Sequence, residues 1–182
     1  MENRVSPWKA NLNAGIILGL LGIIWTLVLW FLNQTTNNTL GLIFWAVIII
    51  GLFLGIKSYR DKYLNGFITY GQSLGASFII ILYFSIVLAI FNYILYKWID
   101  PDLTDKLLNS AEEFFVERSM TEGSIEQLMQ MLRKIITPFV LSIFVILYRV
   151  FVGAILSLII GLFTKREGNP LINEAIAEEE DN

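Results

Sequence analysis

Four long stretches of this chain carry no charged side chain, and they constrain its fold more than any other feature. They cover residues 10–56, 63–96, 135–148 and 150–164. All 13 basic and all 16 acidic residues lie elsewhere. Helices of a soluble domain carry charged side chains regularly along their solvent-facing side. We therefore expect the charge-free stretches to lie in hydrocarbon.

Four segments are long and apolar enough to cross a membrane, which takes about 20 mostly apolar residues in a helix. These predicted spans cover residues 13–32, 40–56, 70–96 and 139–163. The first has the length of a membrane helix and no small-residue cleavage pattern behind it, so we expect no cleaved signal peptide. The predicted fold class is all-α, an integral membrane four-helix bundle.

Basic residues lie at one side of the predicted spans. They precede the first span and follow the second and the fourth: Arg4, Lys9, Lys57, Arg60, Lys62, Lys165 and Arg166. The turn between the first two spans, residues 33–39, has no charge. Because short cytoplasmic flanks are rich in Lys and Arg, we expect both termini in the cytoplasm. The tryptophans near predicted span ends fit interface anchors: Trp8, Trp25, Trp30, Trp45 and Trp98.

The connection between the third and fourth spans, residues 97–137, is polar and is expected outside the cytoplasm. It carries eight acidic and five basic residues. Apolar residues recur in it at intervals of three and four, which predicts two amphipathic helices over about 103–119 and 125–137. We expect a short extracytoplasmic helical hairpin that either lies on the membrane or caps the bundle. Its apolar stripes either pack on the bundle or dock a partner.

The chain is predicted to form a single membrane domain over residues 1–168. The remaining residues, 169–182, end in the acidic run Glu178, Glu179, Glu180 and Asp181. Like charges in a run repel one another and stay solvated. We therefore predict that this tail is cytoplasmic and disordered.

Small residues recur four apart in every predicted span. They are Gly15 and Gly19, Gly51 and Gly55, Gly71 and Gly75, and Gly153, Ser157 and Gly161. Lipid tails are as apolar as leucine, so close backbone approach at small residues supplies much of the packing energy between membrane helices. The pattern predicts a compact bundle within one chain, and homodimerisation through one of these faces is the alternative.

Arg149 lies near the middle of the fourth span, with 14 charge-free residues before it and 15 after it. The predicted spans contain no Asp or Glu that could pair with it. Polar candidates on other spans are Thr26, Tyr83, Ser85 and Asn92. Backbone carbonyls, snorkelling to Asp100 or Asp102, a partner protein and an anionic ligand are further alternatives. We place a candidate anion or partner site at Arg149, Asn92 and Gln72.

The chain contains neither Cys nor His. Disulfides, thiolate chemistry and imidazole catalysis are therefore excluded, and no motif indicates a cofactor, a nucleotide or a metal. A net charge of −3 without a basic aromatic face excludes nucleic acid as a partner. We expect a non-enzymatic accessory or scaffolding subunit of a membrane complex. Its partners are the lipid bilayer and either another membrane protein or a second copy of the chain.

Two other functions fit parts of the pattern. A small transporter or channel for an anion or a lipid would use Arg149 to attract its substrate. A membrane lipid-modifying enzyme would use a divalent metal and the outer carboxylates. Those carboxylates are Asp100, Asp102, Asp105, Glu112 and Glu113.

Three short motifs flank the first and third spans: residues 6–9 (SPWK), 59–72 (YRDKYLNGFITYGQ) and 99–101 (IDP). Together they resemble the bacterial "domain of unknown function 4199" family of small four-span inner-membrane proteins. The resemblance covers nearly the whole chain apart from the acidic tail. It implies a bacterial inner-membrane location and the four-span arrangement, and it implies no activity and no functional residues.

Overall fold

The computed structural model describes residues 5–35 and 38–166, which fold into helices. Six α-helices follow one another: α1 (Pro7–Phe31), α2 (Asn38–Tyr63), α3 (Tyr70–Ile94), α4 (Asp102–Glu117), α5 (Glu122–Ile135) and α6 (Pro138–Thr164). A π-helical turn (Leu95–Ile99) continues α3. An isolated backbone bridge joins Ile68 to Arg166, so α3 begins where α6 ends. The all-α class is confirmed, and the tail predicted over residues 169–182 lies outside the described residues.

Four of these helices are long and apolar enough to cross a membrane, which confirms the predicted number of spans. They are α1, α2 from Thr39 onward, α3 with its π-helical turn, and α6, with 25, 25, 30 and 27 residues. Proline at the start of α1 and α6 sets a helical φ angle without losing a needed donor. The Thr137 side chain also accepts a hydrogen bond from the Val140 amide at 3.3 Å. These local features let both helices begin ahead of the apolar runs.

α3 is the central helix of the bundle. Half of the residues in the apolar 18-residue segment of α3 are buried, whereas the corresponding shares in α1, α2 and α6 are 22%, 28% and 17%. It packs against all three. Its buried side chains Ile80, Phe84 and Leu88 join Leu52 and Ile56 of α2 in the core. Large apolar side chains stay exposed on the outer helices, as expected for surfaces that face lipid.

α1 and α3 approach each other closely at glycines of α1. A Cβ atom at Gly15 would collide with the Tyr83 side chain and with the Ile80 carbonyl. A Cβ atom at Gly19 would lie 2.6 Å from a methyl group of Val87, also too close. Only a hydrogen side chain allows this separation of the two helices.

Similar contacts occur at five other glycines. They pair Gly22 with Phe84, Gly51 with Leu18, Gly55 with Ile80, Gly153 with Ile81 and Gly161 with Tyr70. The buried Ser157 donates a hydrogen bond to the carbonyl of Gly153 at 2.7 Å, one turn back in α6. Gly22 lies outside the four-residue spacing that the sequence shows, so the pattern did not identify it.

The prediction of close packing within the chain is wrong for Gly71 and Gly75 of α3. Nothing lies within 4 Å of a Cβ atom built on either residue. α3 instead buries the small side chains of Ser73 and Ser77, and the Ser73 hydroxyl is hydrogen-bonded to that of Thr164 in α6. Two sets of small residues lie on different faces of α3, and their equal spacing does not reveal which face is buried.

The connection between α3 and α6 contains two amphipathic helices, α4 and α5. They pack against each other through Leu108, Ile125 and Met129. α5 begins at Glu122, ahead of the predicted start at 125, because Thr121 has the extended backbone of a helix N-cap. The side of the membrane on which α4 and α5 lie stays a prediction.

Candidate anion-binding site

A pocket of about 570 Å³ opens at one end of the bundle, and we call it the distal pocket. This distal end holds the α1–α2 connection, the π-helical turn and α4, whereas α1 and α3 begin and α6 ends at the opposite, terminal end. Side chains from α1, α2, α3, the π-helical turn, α4 and α6 line the pocket. Its volume lies in the range of small-molecule binding sites, about 300–1,000 Å³.

Arg149 reaches the distal pocket from the middle of α6. Its guanidinium carbon Cζ lies 5.1 Å from the centre of the Phe84 ring and 5.9 Å from that of Trp45. Cation–π contacts of this kind contribute about 0.5–2 kcal/mol. Within the described residues the ion pairs are Arg60 with Asp61 and Lys106 with Asp100, and neither includes Arg149. The guanidinium therefore keeps hydrogen-bond donors for a further partner.

Two other polar groups in the pocket walls lack a hydrogen-bond partner. Asn92 of α3 is only 5% exposed, and its Oδ1 atom is unpaired. The indole Nε1 of Trp25 is also buried and unpaired, although the ring itself stacks on Phe44 at 5.6 Å. Leaving a buried polar group unpaired costs about 1–3 kcal/mol. Together with the half-buried Arg149, these two atoms form a set of hydrogen-bonding groups that a polar ligand can satisfy.

Gln72 does not belong to this set, so the predicted grouping of Gln72 with Arg149 and Asn92 is wrong. It lies twenty residues before Asn92 on α3, which is about 30 Å along a helix. Its side-chain oxygen accepts a hydrogen bond from the Thr69 backbone amide at 3.0 Å, and the Gln72 backbone amide donates a hydrogen bond to the Thr69 hydroxyl. This capping box starts α3 at the terminal end.

The other polar side chains considered as partners for Arg149 are engaged elsewhere. Thr26 and Ser85 donate to carbonyls of their own helices, at 2.8 Å and 2.7 Å. The Tyr83 ring packs edge-on against Trp8. Asp100 accepts a hydrogen bond from the Trp30 indole. Thr26 and Asn92 both line the pocket with Arg149, and of these two Asn92 has a side-chain oxygen without a hydrogen-bond partner.

The π-helical turn and α4 cover the distal pocket. Leu95 of the turn and Leu103 and Leu107 of α4 contribute apolar side chains to its lining. Asp100, between these two elements, accepts hydrogen bonds from Trp30 of α1 at 2.8 Å and from Lys106 of α4 at 3.5 Å. These contacts tie the cover to the end of α1.

The outer carboxylates of the enzyme hypothesis were Asp100, Asp102, Asp105, Glu112 and Glu113. Within residues 5–35 and 38–166, no three acidic side chains gather where they could hold a metal ion. Asp100 is occupied by its contacts with Trp30 and Lys106. In this arrangement Asp100 serves to hold α4 in place.

A family comparison places the chain among known proteins. Residues 13–166 match the model of the family described as "Protein of unknown function (DUF4199)". The chain belongs to the DUF4199 family. The matched range contains every described pocket residue, so the distal pocket lies within the DUF4199 domain. No curated protein and no solved structure matches the chain.

Sequence reasoning missed the aromatic part of the site in this DUF4199 protein. Trp25 and Trp45 were interpreted as interface anchors because they lie near span ends, yet both line the distal pocket. Tyr96 joins them from the π-helical turn. The positions of these aromatic residues along their helices place them at a similar level, which could have suggested a cluster. Whether they face one another depends on the rotation of each helix, and contacts between distant segments set that rotation.

Proposed function

We propose that this protein binds an anionic ligand within the membrane, in the distal pocket, with Arg149 as the group that attracts the anion. The observation that carries the proposal is a half-buried guanidinium that lines an open pocket and, within the described residues, has no carboxylate partner. At an effective dielectric constant of 20, a unit negative charge about 4 Å away contributes about 4 kcal/mol. An anion would thus offset much of the energy needed to hold Arg149 inside the bundle.

The proposed ligand also meets the other unpaired groups of the pocket. The Trp25 indole donates a hydrogen bond, and the Asn92 Oδ1 atom accepts one from a hydroxyl or another donor of the ligand. The proposed activity is binding or transport without catalysis, because the pocket lining, as far as the structure describes the chain, offers a cation and hydrogen-bond donors but no carboxylate, Cys or His side chain. Such a protein can act alone or as the ligand-binding subunit of a larger membrane complex.

We further propose a bacterial inner-membrane location with both termini in the cytoplasm. The basic residues that flank the spans support this orientation. The distal pocket then lies in the outer half of the bilayer. A scaffolding subunit would need apolar faces alone, and the pocket around Arg149 favours the ligand-binding alternative.

The test is anion binding by the full chain in detergent, with Arg149→Gln as the variant. Hexadecyl phosphate and inorganic phosphate serve as probes, and tryptophan fluorescence reports binding because Trp25 and Trp45 line the pocket. Loss of the net contribution of a hydrogen bond to a charged group, about 2 kcal/mol, corresponds to an affinity about thirtyfold weaker.

Arg118→Gln is the matched control, because Arg118 also stacks on a phenylalanine, at 4.7 Å from the Phe114 ring, but lies outside the distal pocket. We expect this variant to bind like the unaltered protein. Equal affinities of the Arg149→Gln and unaltered proteins for both probes would refute the proposed function.

A further inference from the structure

We infer that the ligand is an amphiphile with a phosphate or carboxylate headgroup, which reaches Arg149 sideways from the bilayer through a portal between α2 and α6. The portal is the part of the distal pocket lined by Gly41, Leu42 and Tyr148. This inference rests on the proposed anion binding and adds the chemical class of the ligand and its route.

The side wall of the pocket is open toward the lipid-facing surface. Leu42 of α2 and Tyr148 of α6 both line the pocket, yet they are 69% and 58% exposed. Residues that belong at once to the pocket and to the outer surface mark its opening. Gly41 adds no side chain there, and nothing lies within 4 Å of a Cβ atom built on it. With the four apolar helices across a bilayer, this opening would face hydrocarbon.

The end of the pocket is covered. Leu95 and Leu103 line it from the π-helical turn and α4, and they are 1% and 4% exposed. A polar depression of about 330 Å³ lies beyond Leu103, with Lys106 in its wall, and shares Leu103 and Thr35 with the pocket. The buried Leu103 side chain lines both this depression and the distal pocket. In the proposed route, a water-soluble anion that enters from the depression would have to displace this side chain, whereas a lipid would not.

The lining suits a molecule with a charged head and an apolar chain. The planar guanidinium of Arg149 can donate two parallel hydrogen bonds to a phosphate or a carboxylate. Leu29, Phe44 and Val145 supply apolar wall area beside it. The headgroup can then fill the pocket while the chain leaves through the portal into the surrounding lipid, where it stays solvated.

The experiment compares two probes in phosphatidylcholine nanodiscs, hexadecyl phosphate and inorganic phosphate. We expect the unaltered protein to bind hexadecyl phosphate at least about tenfold more tightly than inorganic phosphate. Gly41→Trp should reduce the association rate of hexadecyl phosphate by about tenfold. Gly75→Trp is the matched control, because Gly75 also borders open space but lies outside the pocket, and it should bind both probes like the unaltered protein.

Leu42→Ala gives a second measurement on the portal, should Gly41→Trp not fold. Removal of this exposed side chain should speed the association of hexadecyl phosphate. Equal affinities for the two probes, or association rates that neither portal variant changes, would overturn the lateral route. In that case, a loss of binding in Arg149→Gln would still support the proposed function. Unchanged binding in Arg149→Gln would instead reject the anion site itself.

Discussion

The two ends of the bundle are packed in opposite ways. At the terminal end, glycines bring helices into direct contact, as at Gly15 and Gly161. The buried hydroxyls of Ser73 and Thr164 are hydrogen-bonded to each other. At the distal end, the helices enclose a 570 Å³ pocket whose wall groups include the unpaired Nε1 atom of Trp25 and the unpaired Oδ1 atom of Asn92. The terminal end is built for close packing, and the distal end leaves space and polar atoms uncommitted.

This difference indicates which end contributes stability and which contributes binding. Close packing at small residues is the main source of helix association in lipid. Buried polar atoms without partners destabilise a fold and are found where function requires them. Among the described residues, the terminal end has one such atom, the Oδ1 of Asn11, but the distal end adds a cation and an open cavity. Substitutions at the terminal end should therefore change the unfolding temperature most, and substitutions at the distal end should change ligand binding most.

Gly15→Leu should have the largest effect on stability. The new side chain would have to displace Tyr83 and the backbone of α3 at Ile80, and overpacking of this kind costs about 3 kcal/mol. We expect a clear fall in the unfolding temperature in detergent, followed by circular dichroism. Gly75→Leu is the control, since its added atoms meet open space. If both variants unfold at the same temperature as the unaltered protein, close packing at the terminal end does not stabilise the bundle.

The contrast between Gly15 and Gly75 also shows how far the sequence could predict the fold. Charge-free stretches identify the spans, because a charged side chain in hydrocarbon costs several kcal/mol at any rotation of its helix. Which face of a helix is buried depends on its neighbours. α3 therefore packs through Ser73 and Ser77 and leaves Gly71 and Gly75 in open space. The two pairs of small residues have the same four-residue spacing.

The same reasoning applies to the site. Arg149 was recognisable as a charge within a span, and Asn92 as a polar residue on a neighbouring span. Gln72 is also a polar residue of α3, but polarity alone does not give its position along the helix. Its side chain caps the end of α3 that lies opposite the pocket. Trp25 and Trp45 could not be assigned to the pocket, since they come from two other helices and meet Arg149 only after the bundle assembles.

Asp100→Ala should have the next largest effect, and it should act on the distal end alone. The variant loses the hydrogen bond from Trp30 and the contact with Lys106, and a hydrogen bond to a charged group contributes about 1.5–3 kcal/mol. We expect faster hydrogen exchange in α4 together with a smaller fall in the unfolding temperature than for Gly15→Leu.

Asp61→Ala controls for the loss of a carboxylate. Asp61 pairs with the adjacent Arg60 at 2.8 Å and is exposed, and surface pairs contribute about 0–1 kcal/mol. Exchange in α4 should stay unchanged in this variant. Unchanged exchange in Asp100→Ala as well would mean that Asp100 does not hold the cover of the distal pocket.

Ser73→Ala tests the polar contact at the terminal end and should have a small effect. Hydrogen bonds between membrane helices contribute about 0.6 kcal/mol on average. A double-mutant cycle with Thr164→Val should give a coupling energy near this value, because the two hydroxyls are bonded directly. Additive effects of the two substitutions on unfolding would contradict that contact.

Arg149→Leu should have the smallest effect on stability, although it removes the charge at the centre of the proposed site. The variant loses cation–π contacts with Phe84 and Trp45, which contribute about 0.5–2 kcal/mol. It also removes an uncompensated charge, whose cost at the centre of a span is about 2.5–3.5 kcal/mol on insertion scales. We expect an unfolding temperature equal to or above that of the unaltered protein. A fall as large as that expected for Gly15→Leu would make Arg149 part of the packing, and the distal end would then contribute to stability as the terminal end does.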